Sequence, residues 1–198
     1  MTTSKKSRKQ EILDAALSCF TENGIEATTI DMIRERSRAS VGSMYHHFGS
    51  KESIAAALYV DALAEHHEVQ KALLASAKTV EEGVKAIARA YIDWVSAHPD
   101  KARFVLHNRG VLAKSALANE LGDRTRSHMS DLVQWFRPHI DSGALKKLPL
   151  ECYASIITGP AHDYARLWLS GRAKTDIKAF REIFADAAWN ALKPEHSR

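Results

Sequence analysis

Between Arg36 and Lys51 the chain carries Arg36, Arg38, His46, His47 and Lys51 but no aspartate or glutamate. Ser40, Ser43 and Tyr45 add hydroxyl groups to the same stretch, and Gly42 leaves one position without a side chain. A strip of donors and cations free of acids suits a polyanion such as a nucleic-acid backbone. Lys51 follows Ser50, a residue type that starts helices, so its ammonium group and free helix amides can converge on one phosphate. Gly42 permits close backbone approach, and Tyr45 offers a hydroxyl donor.

Two short helices around a tight turn must position these groups. Thr28 or Thr29 can cap the first, with Asp31 three residues after Thr28 in the spacing of a capping box, and Ile30 and Ile33 share one face. Ser40 is expected to cap the second by accepting from the amide of Ser43, while Val41, Met44 and Phe48 are spaced to hold it against the domain. A bracing helix is expected from about Lys9 to Glu22, with Ile12, Leu13, Ala16, Leu17 and Phe20 inward and Asn23-Gly24 as its stop. The second helix of such a pair can lie in a major groove while flanking groups hold phosphates.

These residues resemble the DNA-binding domain of the TetR family of bacterial transcriptional regulators. The pattern is a threonine opening the second helix, a Ser-x-Gly start to the third, an aromatic pair and a lysine, met here by Thr29, Ser40, Gly42, Tyr45, Phe48 and Lys51. The upstream ILDAALSCFTENGIEATT is similar to the family's first helix and connector. The resemblance implies an all-α homodimer that binds a palindromic operator on double-stranded DNA and usually lets go when a small-molecule effector binds. Two positions depart from the pattern: Arg34 stands where a small residue is usual, and Arg38 where the turn often has glycine. They are either extra phosphate contacts or ordinary solvated arginines. A positive φ at Arg38 would cost about 1 kcal/mol. Within this frame Val41, Ser43 and His46 are expected at base edges, and Thr29, Tyr45 and Lys51 on phosphates.

Composition sets the remaining bounds. With 198 residues, 45% hydrophobic, the chain can bury a sizeable core, and its net charge of +4 permits nucleic-acid binding without requiring it. Lys5, Lys6, Arg8 and Lys9 crowd the first nine residues, either as an arm reaching DNA or as a solubilising tail. No apolar run reaches the ~18 residues of a membrane span, and nothing resembles a signal peptide, so no membrane partner and a cytoplasmic location are expected. Cys19 and Cys152, on apolar helical faces in different parts of the chain, are expected as buried thiols.

Downstream, helical periodicity continues without strand-like alternation. A long helix is predicted from near Ser50 towards Leu74, then one capped by Thr79 with Glu82, a short one over Asp100 to Asn108, one from Leu112 to Pro138, and two more from Pro149 to Ser170 and from Thr175 or Asp176 to Leu192. The expected architecture is therefore all-α. An N-terminal three-helix helix-turn-helix DNA-binding domain with a basic arm occupies residues 1–50, joined to a helical ligand-binding and dimerisation domain in residues 51–198. Gly159-Pro160 should kink the first of the last two helices. Tyr164, Leu167, Trp168, Phe180, Phe184, Ala187 and Ala188 are the expected dimer surface, in a four-helix interface, with packing inside one chain as the alternative. Tyr91, Trp94, Phe104, His107, His128, Trp135, Tyr153 and His162 are collectively the candidates for an effector pocket, although for each alone a packed core is the better fit. Asp93, Glu151 and Asp163 are candidates for pairing with a cationic ligand, or for solvated surface positions.

Ten histidines raise the question of catalysis. His46-His47 and His66-His67 are adjacent pairs, which diverge by about 100° on a helix, unlike the i, i+4 pairs that share one metal. There is no HExxH, CxxC, GxSxG or glycine-rich phosphate loop. The sequence thus points away from an enzyme and gives no catalytic residue, metal site or cofactor. A nonspecific nucleoid-binding or scaffold protein remains the second reading of the same helical unit.

Overall fold

In the computed structural model, residues 7–112 and 118–195 are described, with backbone alone at 109, 111, 112, 118–121 and 123–129. The described elements are all helical: α1 (Arg8–Ala27), α2 (Ile30–Ser37), α3 (Val41–His47), α4 (Lys51–Ser76), α5 (Val80–Ala97), α6 (Pro99–Leu112), α7 (Ala118–Asp141), α8 (Leu150–Leu169), a 3-10 turn (Ile177–Phe180) and α9 (Arg181–Leu192). Packing divides them into one unit of residues 1–63 with 100–123 and another of 64–99 with 124–198. This division is not the sequence division at residue 50. The start of α4 and much of α6 belong with the first unit because Ile54, Ala55, Leu58 and Phe104 enter its core.

That core also takes Ile12, Leu13, Ala16 and Phe20 from α1, Ile33 from α2 and Met44 from α3. Phe20 and Phe104 stack with ring centroids 5.7 Å apart. Regular α1 geometry breaks at Gly24, whose φ of +76° and ψ of 164° suit a residue without Cβ. Thr28 then turns its hydroxyl inward, donating to the carbonyls of Gly24 (2.7 Å) and Cys19 (3.1 Å), which leaves Thr29 to cap α2.

The second unit centres on α5, whose Val84, Ile87 and Ala88 meet Leu132 and Phe136 of α7, Tyr153 and Ile157 of α8, and Ala185, Ala188 and Leu192 of α9. A neighbouring flank of α5 forms a polar ladder. Lys85 pairs with Asp186 at 2.7 Å, Arg89 with Glu182 at 2.5 Å, Asp93 with Arg181 through two contacts of 2.7 Å, and Ser96 donates to Asp176 at 2.9 Å. Thr79 caps α5 as expected, accepting from the Glu82 amide at 3.1 Å, but Glu82 reaches back to the amide of Lys78 rather than to that of its cap. The last predicted helix is shorter than its apolar stripe suggested, because residues 177–180 form a 3-10 turn before α9. α8 runs on through Pro160. Cys152 is half-buried rather than buried, and both cysteines are free thiols.

The ring of Trp135 lies directly on Gly83, where a Cβ would fall 2.0 Å from Cζ2. Gly83→Ala is therefore expected to cost about 1–3 kcal/mol in urea denaturation, with part recovered by adding Trp135→Leu.

Candidate functional site

The turn between α2 and α3 closes through a backbone motif. Arg38 adopts φ +52° and ψ +31°, its amide donating to the Glu35 carbonyl while the Ala39 amide donates to that of Arg34. These are the two bonds of a Schellman ending, which requires a left-handed residue at this place and is usually made with glycine. Ser40 then caps α3 as expected, accepting from the Ser43 amide at 3.1 Å. Thr29 caps α2 by accepting from the Met32 amide at 3.2 Å, and the Met32 sulfur, not Asp31, accepts from the Thr29 amide. Each cap uses a lone pair of the hydroxyl and leaves its proton able to donate outward.

α3 turns Met44 into the core at 2% exposure, with Phe48 half-buried behind it. Val41 does not hold the helix as its spacing suggested. It is 54% exposed, and Tyr45, at 58%, shares that outer surface with Ser40, Gly42, His46 and His47, while Ser43 is half-buried. The sequence strip of cations is partly neutralised from neighbouring elements. Arg36 makes a bidentate pair with Glu22 of α1, both contacts at 2.7 Å, and Arg34 pairs with Asp31 at 3.1 Å. Arg38 stays exposed, on an open cavity of about 540 Å³ that Arg8, Asp14, Ser18 and Arg36 help to line. Lys51 is half-buried and donates to the Glu26 carbonyl at 2.9 Å, which ties the start of α4 to the end of α1 and leaves two ammonium protons for an outside acceptor. Ser50 caps α4 by accepting from the Ser53 amide, and Glu52 places a carboxylate in the same turn.

Residues 12–58 match the family model of bacterial regulatory proteins, tetR family. This chain matches that family over α1 to α3 and the first turns of α4. Over 53 residues it is 45% identical to the HTH-type transcriptional repressor KstR2 of Rhodococcus jostii, covering 27% of this chain and 26% of that protein. It spans 23% to 43% of the length of the KstR2 and AcnR repressors it matches in this region. Likeness of fold extends further. The fatty acid degradation regulator FadR from Bacillus halodurans superimposes with a TM-score of 0.79 at 18% identity, over 93% of this chain and 99% of that one. FadR from Bacillus subtilis, in complex with stearoyl-CoA, gives 0.75 at 17% identity over 90% and 96%.

The expected pocket residues fall into three places. Tyr91, Trp94 and His162 come together in the second unit, with the Tyr91 hydroxyl 3.2 Å from His162 Nδ1 and the two rings stacked at 5.8 Å. Burial pushes the Tyr91 phenol far above its ordinary range, so it stays protonated. Trp135 and Tyr153 belong instead to the core of that unit, where Tyr153 is fully buried against Phe136 and donates to the Lys146 carbonyl. Phe104 is a core residue of the first unit, and His107 is exposed on the same α6, so neither joins the others. The side chain of His128, on α7, lies outside what is described. Asp93 is engaged by Arg181 and is not open to a cationic ligand; Glu151 and Asp163 are exposed.

His66, absent from the expected set, joins Tyr91 and Trp94 at centroid distances of 5.9 and 5.5 Å. The signal for it was the buried α4 stripe Ile54, Leu58 and Ala62, whose next two steps of four are His66 and the buried Gln70. On the expected dimer surface, Ala188 is buried in the chain's own core at 2% exposure, so it has nothing to offer a partner. Tyr164 packs edge-on against Phe180 at 5.1 Å and near Phe184, all half-buried like Leu167 and Trp168. Ala187 is exposed, and Ile183, 63% exposed, completes an outward i, i+3, i+4, i+7 row with Phe180, Phe184 and Ala187.

Two outcomes follow for the first unit. Arg38→Gly should raise stability by about 0.5–1 kcal/mol in urea denaturation, because glycine adopts this region freely. The Arg36 guanidinium holds the Glu22 carboxyl below its ordinary 4.5 through hydrogen bonding. A lowered folded-state pKa adds stability that is complete above the ordinary value and lost as the pH falls through the folded one. Glu22→Gln should thus lower Tm at about pH 7 and have no effect near about pH 2, with the pH 7 effect weakened by salt.

Proposed function

We propose that this chain is a dimeric, sequence-specific DNA-binding repressor that sits on a palindromic operator and leaves it when a small molecule binds the second unit. The observation that carries this reading is the outer face of α3: a capped helix with one buried anchor, Met44, presenting Val41, Tyr45 and His46 to solvent. Val41, Ser43 and His46 are the base-edge residues. Thr29, Arg38, Tyr45 and Lys51 hold phosphates, with the proton left by each threonine or lysine contact aimed outward. A second copy docks on the row Phe180, Ile183, Phe184 and Ala187, with Tyr164, Leu167 and Trp168 beside it, and holds the two recognition helices about 34–36 Å apart for successive major grooves.

The repressor role of KstR2 supports the reading, as does the stearoyl-CoA complex of a protein sharing this fold. Effector and operator then act on one equilibrium, so each weakens the other by the same factor. The protein works in the cytoplasm, and its partners are DNA, its own copy and an effector. A nonspecific nucleoid protein would show the same salt-sensitive affinity without preferring one sequence.

The division of roles is tested by fluorescence anisotropy on operator and scrambled duplexes across a salt series. Lys51→Ala should weaken both duplexes alike and reduce the salt slope by about one. Val41→Ala should change which operator is preferred, by about 1–3 kcal/mol per base pair read. A Lys51→Ala variant with altered preference and undiminished affinity contradicts the assignment.

A further inference from the structure

Trp94 is 4% exposed, and its indole Nε1–H is buried without a hydrogen-bond partner. An unsatisfied buried donor costs about 1–3 kcal/mol and calls for a reason. Around it stand three polar-tipped rings from three helices. His66 of α4 is 5.5 Å away by centroid, Tyr91 of α5 contacts His66 edge-on at 89°, and His162 of α8 meets Tyr91 through the 3.2 Å bond. His66 and His162 are half-buried, so these two rings reach both the cluster and solvent. The nearby acids are engaged elsewhere: Asp93 by Arg181, and Glu65 3.4 Å from His98. The cluster thus offers an indole that can only donate, flat apolar walls and no open carboxylate.

We propose that the Trp94 Nε1–H, framed by His66, Tyr91 and His162, donates to a carbonyl or carboxylate oxygen of a planar, mainly apolar effector. The proposal rests on the reading of the second unit as the effector-binding part. A cation is disfavoured because the indole N–H can only donate and the carboxylates of Asp93 and Glu65 already face Arg181 and His98.

The test uses the full chain without DNA, titrated calorimetrically with 2-naphthoate, 2-methylnaphthalene and 2-naphthylmethylammonium. One variant carries 3-benzothienylalanine at position 94, which keeps the ring volume and removes the N–H. Saturable binding of 2-naphthoate is expected, at least about tenfold weaker in the variant, with 2-methylnaphthalene unchanged and the ammonium compound not bound. The variant's Tm without ligand should equal or exceed that of the unmodified chain, because an unsatisfied donor has gone. Equal 2-naphthoate affinity in both proteins, no saturable binding below about 1 mM, or a lowered variant Tm would each overturn the proposal. Operator release is read separately: 2-naphthoate that binds through Trp94 without releasing DNA supports this site and contradicts the effector reading, whereas release that ignores the N–H contradicts this site alone.

Discussion

α3 is seven residues long, too short to persist by its own hydrogen bonds, since helix nucleation is costly and short helices gain little from propagation. Its conformation depends on Met44, the one residue of the helix buried in the core of the first unit, and on the Ser40 cap that satisfies the Ser43 amide. Because a helix fixes the angle between its residues, seating Met44 decides where Val41, Tyr45 and His46 point. The left-handed Arg38 sets the entry of the chain into that helix, and the surrounding α1, α4 and α6 exist in large part to provide the socket. The surface that α3 presents to solvent is thus set by apolar packing on the inner side of the same short helix.

Charge follows a similar economy. Arg34 and Arg36 face acids on their own or a neighbouring helix, so the surface offered to a polyanion is smaller in charge than the acid-free sequence implies. What remains is Arg38, the spare protons of Lys51 and a set of hydroxyls whose lone pairs are already committed to helix caps. Such a surface positions a backbone through geometry more than through bulk attraction, which favours a sequence-reading role over nonspecific coating. In the second unit the same separation recurs: α5 has one flank in the apolar core, another fixed by ion pairs to α9, and a third region carrying Tyr91 and Trp94.

Features decided by local chemistry were legible in the chain. The caps at Ser40 and Thr79 and the break at Gly24 follow from what one or two neighbouring residues can do with backbone groups, whereas the positive φ at Arg38 was raised only by the glycine usual at that place in the resembled family. Features decided by tertiary contact were not. Apolar spacing alone put Val41 inward, but Met44 fills that place; an aromatic at Phe104 looked like pocket lining, yet it stacks on Phe20 in the other unit. Asp93 carries no mark in sequence that its partner lies 88 residues away at Arg181, and Ala188 differs from Ala187 only in the direction its helix turns. Of the candidate site, the exposed residues of α3 lie together as a local set that spacing could reach, whereas the meeting of His66 with Tyr91, Trp94 and His162 needed three helices to be packed.

The central claim is that the outer face of α3 reads a DNA sequence as part of a two-fold assembly. Its most direct test is to incubate the purified protein with a randomised duplex pool at near-physiological salt and sequence what stays bound. Enrichment of an inverted repeat, with half-sites centred about one helical turn or a multiple apart, is the result this account predicts. A pool that binds without enrichment, or does not bind at all, would contradict it.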